Sequence, residues 1–117
     1  MQTQKTKSLE RMGWVIGIRP EKITEYKTLH ANAWPEILQK ISECNIRNYT
    51  IFLREPENLL FACWDYVGTD FDADMERMKG HAKTRKWWAL TDPCQDPLGS
   101  HQPDEQWVRM EQIFHLN

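Results

Sequence analysis

Tyr26 and His30 stand four residues apart, Trp34-Pro35-Glu36 follows closely, and Trp87-Trp88 lies far downstream. On a helix, side chains at i and i+4 share one face with Cβ atoms about 5–6 Å apart, so this phenol and imidazole can meet one ligand. Histidine is the side chain whose unperturbed pKa, roughly 6.5, lets it accept and donate protons at neutral pH. A tryptophan face stacks on the C–H groups of a pyranose while its N–H donates a hydrogen bond. Together the marks suit acid/base chemistry on a sugar. Each also has a structural reading: a helix histidine can be satisfied by a carbonyl, and of two adjacent tryptophans one is core, because neighbouring helical residues point apart. Tyr49, preceded by Asn48, offers a further hydroxyl from a strand, or is an ordinary strand aromatic. His81, His101 and His115 have no comparable neighbours and read as surface or structural.

Other chemistries lack their side chains. No two histidines lie at i, i+4, no Cys/His set has zinc spacing, and the five isolated glycines form neither a dinucleotide fingerprint nor a P-loop. The expectation is chemistry with no cofactor and no metal. Cys44, Cys63 and Cys94 are an odd set without a C-x-x-C pair, which fits reduced structural thiols, and nothing around a serine or cysteine resembles an activation motif. Fifteen basic against seventeen acidic residues, a net charge of −2, give no field that draws nucleic acid or anionic lipid. The basic-aromatic run 83–88 does not restore a nucleic-acid reading, because Leu60-Phe61-Ala62-Cys63-Trp64 stands where an RNA-recognition domain carries glycines between aromatics. The longest apolar run, residues 59–64, is too short for a bilayer, and the polar start 1–11 has no secretory character. A cytoplasmic protein without nucleic-acid or membrane partners is expected.

The elements that must position these side chains follow from periodicity. A chain of 117 residues is the size of one domain, expected over 11–117 after a disordered extension 1–10. Met12, Trp14, Ile16 and Ile18 alternate with Gly13, Val15 and Gly17 as a strand, whose small-residue face permits close approach of another layer. Pro20 opens a first helix with Ile23, Tyr26 and His30 at i, i+3, i+7. Trp34, preceding a proline, is pushed out of the helical region and becomes a hinge, after which Pro35-Glu36 starts a second helix with Ile37, Leu38 and Ile41 inward. Tyr49, Ile51 and Leu53 alternate, Glu55-Pro56-Glu57-Asn58 interrupts, and 59–67 is almost continuously apolar. That predicts a hairpin whose second arm is central and covered on both faces. Thr69 with Asp72 reads as a capping box for a third helix carrying Phe71, Met75 and Met78 and stopped by Gly80. Residues 81–91 form one more helical segment holding Trp87 and Trp88, 92–104 is a loop, and 107–116 alternates as the last strand.

This order predicts an α+β, ferredoxin-like β-α-β-β-α-β fold of the dimeric α/β-barrel type, an antiparallel sheet with helices on one face. Both strand faces are apolar but helices cover only one, so the other is expected to meet a partner sheet in a homodimer. The alternative is a monomer with 92–104 folded over that face.

Taken in order, Tyr26-x-x-x-His30, Trp34-Pro35-Glu36, Asn48-Tyr49, Asn58-Leu59-Leu60-Phe61-Ala62, Trp87-Trp88 with Thr91-Asp92, and Glu111-x-x-Phe114 resemble the L-rhamnose mutarotase family over residues 12–116. The resemblance implies a dimeric protein that interconverts the α and β anomers of L-rhamnose, or a related deoxysugar, without a cofactor. Carried over by position, it implies His30 as proton donor and Tyr26, Tyr49, Trp87 and Trp88 as sugar-binding residues. The chain departs from the family pattern at Ala31-Asn32-Ala33, where asparagine and proline are usual, and at Arg47, where a histidine is common. The 31–33 segment bears on sugar preference rather than on acid/base function. The alternatives are a sugar-binding domain without catalysis and a cofactor-free oxygenase-like relative on the same fold.

Overall fold

Alternation in the first strand and continuity in the third decide how the sheet is built. In a computed structural model, which describes residues 9–117, β1 (Glu10–Ile18) pairs antiparallel with β3 (Leu59–Tyr66), setting Trp14 opposite Ala62 and Ile16 opposite Leu60. Residues paired across antiparallel strands share a face, so Met12, Ile16, Ile18, Leu60 and Ala62 bury together. β2 (Ile46–Arg54) pairs with the other edge of β3. Apart from Leu9 and Glu10, which opens β1, the extension expected over 1–10 lies outside the described residues.

Helices close one face of this sheet. Pro20 begins a 3-10 turn (Pro20–Lys22) that runs into α1 (Ile23–Ala31), its fixed φ suiting a first turn. Trp34 is extended, φ −70° and ψ 135°, ahead of α2 (Pro35–Glu43), the hinge its proline neighbour requires. Asn45 ends that helix with a left-handed backbone, φ 68°. Then come α3 (Phe71–Gly80), α4 (Ala82–Thr91), a 3-10 turn Asp92–Cys94, β4 (Gln95–Asp96) and β5 (Val108–Met110). Ile23 and Tyr26 from α1 bury with Ile16, Ile18 and Leu60, while Met78 from α3 buries with Cys44 and Ile46. The strand order is β2-β3-β1-β4, and every pairing is antiparallel. This is the ferredoxin-like α+β architecture. Among the described residues no helix is long and apolar enough to cross a membrane.

Four local expectations are corrected. The cap of α3 is Asp70, whose Oδ1 accepts from Ala73 N at 3.1 Å, not Thr69: the helix starts one residue later than the capping-box pattern suggested. β3 is central, but its outer face is not covered along its length: Leu60 and Ala62 on the helix side are buried, while Leu59, Phe61 and Cys63 on the other face stay half-exposed. The last strand does not run over 107–116. Gln95 and Asp96 pair with Ile18 and Gly17, then Val108, Arg109 and Met110 pair with Val15, Trp14 and Gly13 along the same edge of β1. One edge strand is thus interrupted opposite Ile16 by the excursion 97–107, which alternation on its far side could not reveal. Beyond it Ile113, Phe114 and Leu116 are 89 %, 79 % and 80 % exposed. The expected loop 92–104 in turn contains the Asp92–Cys94 turn and β4. On the small-residue face, a Cβ at Gly17 would press on the carbonyl oxygen of Asp96, its partner on β4 in the same sheet.

A polar network locks the far end of the sheet to α3. The Tyr66 hydroxyl donates to Asp74 Oδ2, Asn45 Nδ2 donates to the same oxygen at 2.9 Å, and Arg77 reaches Oδ1 at 2.7 Å. Burial pushes the Asp74 carboxyl up, but these three donors outweigh it and hold the group below its ordinary value. A side chain at Gly68 would collide with this network.

Candidate functional site

Between the helices and the sheet lies a cavity of about 910 Å³. Tyr26, His30, Tyr49, Trp87 and Trp88 all line it, although they come from α1, β2 and α4. The two rings of α1 meet as their spacing requires: the Tyr26 and His30 centroids lie 4.3 Å apart. Trp87 closes on His30 edge-on at 5.4 Å and on Trp34 at 5.3 Å. Lys83, one turn earlier on α4, sets its ammonium 5.2 Å from the centre of the Trp34 ring, a cation–π contact.

His30 Nδ1 lies 2.9 Å from the backbone carbonyl of Tyr26. A carbonyl can only accept, so Nδ1 carries the hydrogen, and in the neutral ring Nε2 keeps a free lone pair. The structural reading, a helix histidine satisfied by a carbonyl, is therefore half realised: one nitrogen is occupied and the other has no hydrogen-bond partner among the described residues. Tyr26 is 5 % exposed, and its hydroxyl oxygen accepts from Gln95 Nε2 at 3.2 Å. Burial pushes its phenol up to about 12, against the opposing effect of the Gln95 bond, so it is a proton donor at neutral pH and not a base.

Tyr49 reaches the cavity through a break in the sheet. Arg47 pairs with Asp65 and Thr50 with Cys63, so Asn48 and Tyr49 together oppose Trp64. Asn48 takes the left-handed backbone, φ 56°, and its Nδ2 donates to Asp65 Oδ2 at 2.9 Å. Without this bulge Tyr49 would alternate onto the outer face; with it, the ring packs edge-on to Trp64 at 5.0 Å. Tyr49 keeps 40 % of its surface accessible, yet that surface opens into a cavity walled by protein, and desolvation followed by the nearby Tyr26 push its phenol above the ordinary value.

The tryptophan pair divides its work. Trp87 is 7 % exposed and stands beside His30, whereas Trp88 packs against Cys44, Ile46 and Met78. Both reach the cavity wall. His81, read as surface or structural, caps α4 by accepting from Thr84 N at 3.3 Å. Cys44, Cys63 and Cys94 are free, and burial raises the thiols of Cys44 and Cys94, which suits a structural role. No cluster of three or more His, Cys, Asp or Glu able to hold a metal occurs among the described residues.

Sequence reasoning missed Trp14, Trp64, Gln95 and Gln106, all on the cavity wall. Strand alternation placed Trp14 on an apolar face without telling core from cavity. Gln95 and Gln106 gave no signal, because each lies in or beside a proline- and glycine-containing stretch that reads as loop. Of the stretch 92–104 that the monomer alternative folds over the outer sheet face, Asp92, Gln95 and Asp104 line the cavity instead, followed by Glu105, Gln106 and Trp107.

A family model described as L-rhamnose mutarotase matches residues 11–116. An L-rhamnose mutarotase of Mannheimia succiniciproducens is 30 % identical over 107 residues, 92 % of this chain and 98 % of that protein. Among solved structures, the L-rhamnose mutarotase FA22100 of Formosa agariphila superposes with a TM-score of 0.71 at 23 % identity, covering 92 % of this chain and 99 % of that one. The tetracenomycin F2 cyclase of Streptomyces glaucescens gives a TM-score of 0.67 at 10 % identity, over 92 % and 99 % of the two chains, a likeness of fold alone.

Proposed function

Because the chain belongs to the L-rhamnose mutarotase family, we propose that it interconverts the α and β anomers of L-rhamnose or a closely related 6-deoxy sugar, with His30 as catalytic acid/base and Tyr26, Tyr49, Trp87 and Trp88 as sugar-binding residues. The observation that carries this reading is the bond from His30 Nδ1 to the Tyr26 carbonyl, which frees Nε2 within a cavity lined by aromatic rings.

A pyranose changes anomer when its anomeric hydroxyl loses a proton and its ring oxygen gains one. The bond between the anomeric carbon and the ring oxygen opens, the aldehyde rotates, and the ring closes on its opposite face. His30 Nε2 takes the anomeric proton, the imidazolium, steadied by the Tyr26 carbonyl at Nδ1, passes it to the ring oxygen as the ring opens, and on closure Nε2 takes it back from that hydroxyl and returns it to the new anomeric oxygen. Tyr26 binds as a hydroxyl donor. Trp87 and Trp88 offer ring faces to the sugar, and the apolar wall favours a methyl over a hydroxymethyl group at the sugar's sixth carbon by about 1–3 kcal/mol.

We further read the protein as a cytoplasmic homodimer formed through the outer sheet face. In support, Phe52 and Met110 there are 59 % and 37 % exposed, beside half-exposed Val15 and Phe61. Sedimentation at micromolar concentration should give twice the chain mass, and a monomer would remove this part. The function itself is tested by NMR saturation transfer between the two anomeric protons of L-rhamnose. Wild type should speed exchange and His30→Ala should not. Sugar binding, seen by tryptophan fluorescence, without any exchange would leave the non-catalytic reading standing instead.

A further inference from the structure

Two glutamines stand in line behind Tyr26. Gln106 Nε2 donates to Gln95 Oε1 at 3.1 Å, and Gln95 Nε2 donates to the Tyr26 hydroxyl oxygen at 3.2 Å. Gln95 is 4 % exposed and sits on β4 opposite Ile18, whereas Gln106 comes from the far end of the excursion 97–107, beside Trp107, which packs on the cluster of Ile16, Ile18 and Tyr26. An amide turned by 180° exchanges donor for acceptor, so what Gln95 offers Tyr26 depends on what holds its other end. With Oε1 receiving the Gln106 amide, only the NH₂ of Gln95 can face the phenol.

A phenol hydroxyl lies near its ring plane and has two in-plane directions. A hydrogen accepted from one side leaves the O–H to point to the other. We propose that Gln95 and Gln106 are positioning residues that hold the Tyr26 hydroxyl as a donor into the cavity. This inference rests on the anomer-exchange reading and deepens it. A ring ether oxygen can only accept a hydrogen bond, whereas the anomeric hydroxyl must give up a proton. A fixed donor on Tyr26 beside a free acceptor on His30, with ring centroids 4.3 Å apart, therefore sorts the two oxygens of the acetal: ring oxygen to Tyr26, anomeric hydroxyl to His30. Were Gln95 to present its carbonyl oxygen, Tyr26 would donate backward and the ring oxygen would meet a lone pair.

The test uses Gln95→Glu and Gln95→Met, of nearly equal shape, and Gln106→Leu, half-buried and joined to the relay by its amide alone. Exchange of L-rhamnose anomers is measured by NMR at several sugar concentrations to separate kcat from KM. The carboxylate introduced by Gln95→Glu can only accept, so that variant should lower kcat about 10–100-fold with KM changed less than about threefold, Gln95→Met should lie between it and wild type, and Gln106→Leu should lower kcat several-fold. In a Tyr26→Phe background the Gln95 substitutions should cost nothing further, because there is no hydroxyl left to orient. Equal losses in both backgrounds, or a wild-type kcat in Gln95→Glu, overturn the relay while leaving the anomer exchange intact. A wild-type protein that exchanges no anomers overturns both. Should Gln95→Glu fail to fold, Gln106→Leu with and without Tyr26→Phe decides alone.

Discussion

On the helix side of the cavity the polar ring atoms are engaged: His30 Nδ1 donates to a carbonyl, and the Tyr26 oxygen accepts from Gln95. On the sheet side, the Trp14 and Trp64 rings meet tilted, centroids 5.2 Å apart, with Tyr49 edge-on to Trp64, and both indole N–H groups are buried with no hydrogen-bond partner among the described residues. Proton transfer needs groups whose tautomer and direction are fixed, which is what hydrogen bonds at the far atom provide. Shape recognition needs only firm apolar walls, for which ring packing suffices. On the proposed reading the helix side carries the proton transfer as well as the sugar contacts of Tyr26, Trp87 and Trp88, and the sheet side carries recognition alone.

The sharpest way to break that division is to change one residue on each side. His30→Gln keeps a polar side chain but no titrating one, and anomer exchange should fall about 10²–10⁴-fold with sugar binding retained. Trp64→Phe should act on KM. If Trp64→Phe lowers kcat as far as His30→Gln does, the sheet takes part in the chemistry and the division fails.

Asn48 tests how the sheet side is aimed. A β-branched residue in the left-handed region costs about 1–2 kcal/mol, so Asn48→Val should lower stability by that amount in urea melts and raise KM as the bulge that turns Tyr49 inward is strained. Asn48→Gly keeps the backbone and loses only the bond to Asp65, so it should stay near wild type in KM. Equal KM values in the two variants would show that Tyr49 finds its place without the bulge. Next in size, Tyr49→Phe removes one hydroxyl from the sugar's surroundings, worth about 1 kcal/mol, and should raise KM several-fold with little change in kcat.

The helix side was the more legible of the two. Tyr26 and His30 are joined by helical periodicity, and the pre-proline Trp34 hinge is dictated by local sterics, so both could be read from spacing. The strand order followed from the order of elements. What stayed hidden depended on long-range pairing. Alternation put Tyr49 on the face of Ile51 and Leu53, but whether Asn48-Tyr49 opposes one residue or two is a property of β3 as well as β2, so the bulge that sets this face against Ile46 stayed hidden. The interrupted edge strand was missed for the same reason, since Gln95 and Val108 are neighbours only along β1. Gln95 and Gln106 carry no periodic signal at all. Their meaning lies in a chain of amides that forms only after the sheet does.

The smallest effect concerns what fastens the bulge. Asp65, 5 % exposed on the outer side of β3, accepts from Arg11 Nε at 2.8 Å and from Asn48 Nδ2 at 2.9 Å. The Arg11 bond first, then the Asn48 bond, hold its carboxyl below the ordinary value of 3.8 against the opposing pull of burial. A carboxyl depressed in the folded state adds stability that is present above its unfolded pKa and lost as pH falls through the folded one. Asp65→Asn should therefore lower Tm by a few degrees at pH 7, modestly because the Arg11 side chain is 41 % exposed to screening solvent, and the gap to wild type should narrow steadily below about pH 4. Because Asn48 also loses its charged acceptor, KM should rise slightly at neutral pH with kcat unchanged. A fall in kcat instead would mean that the carboxylate acts beyond fastening the bulge, and the sheet side would no longer be recognition alone.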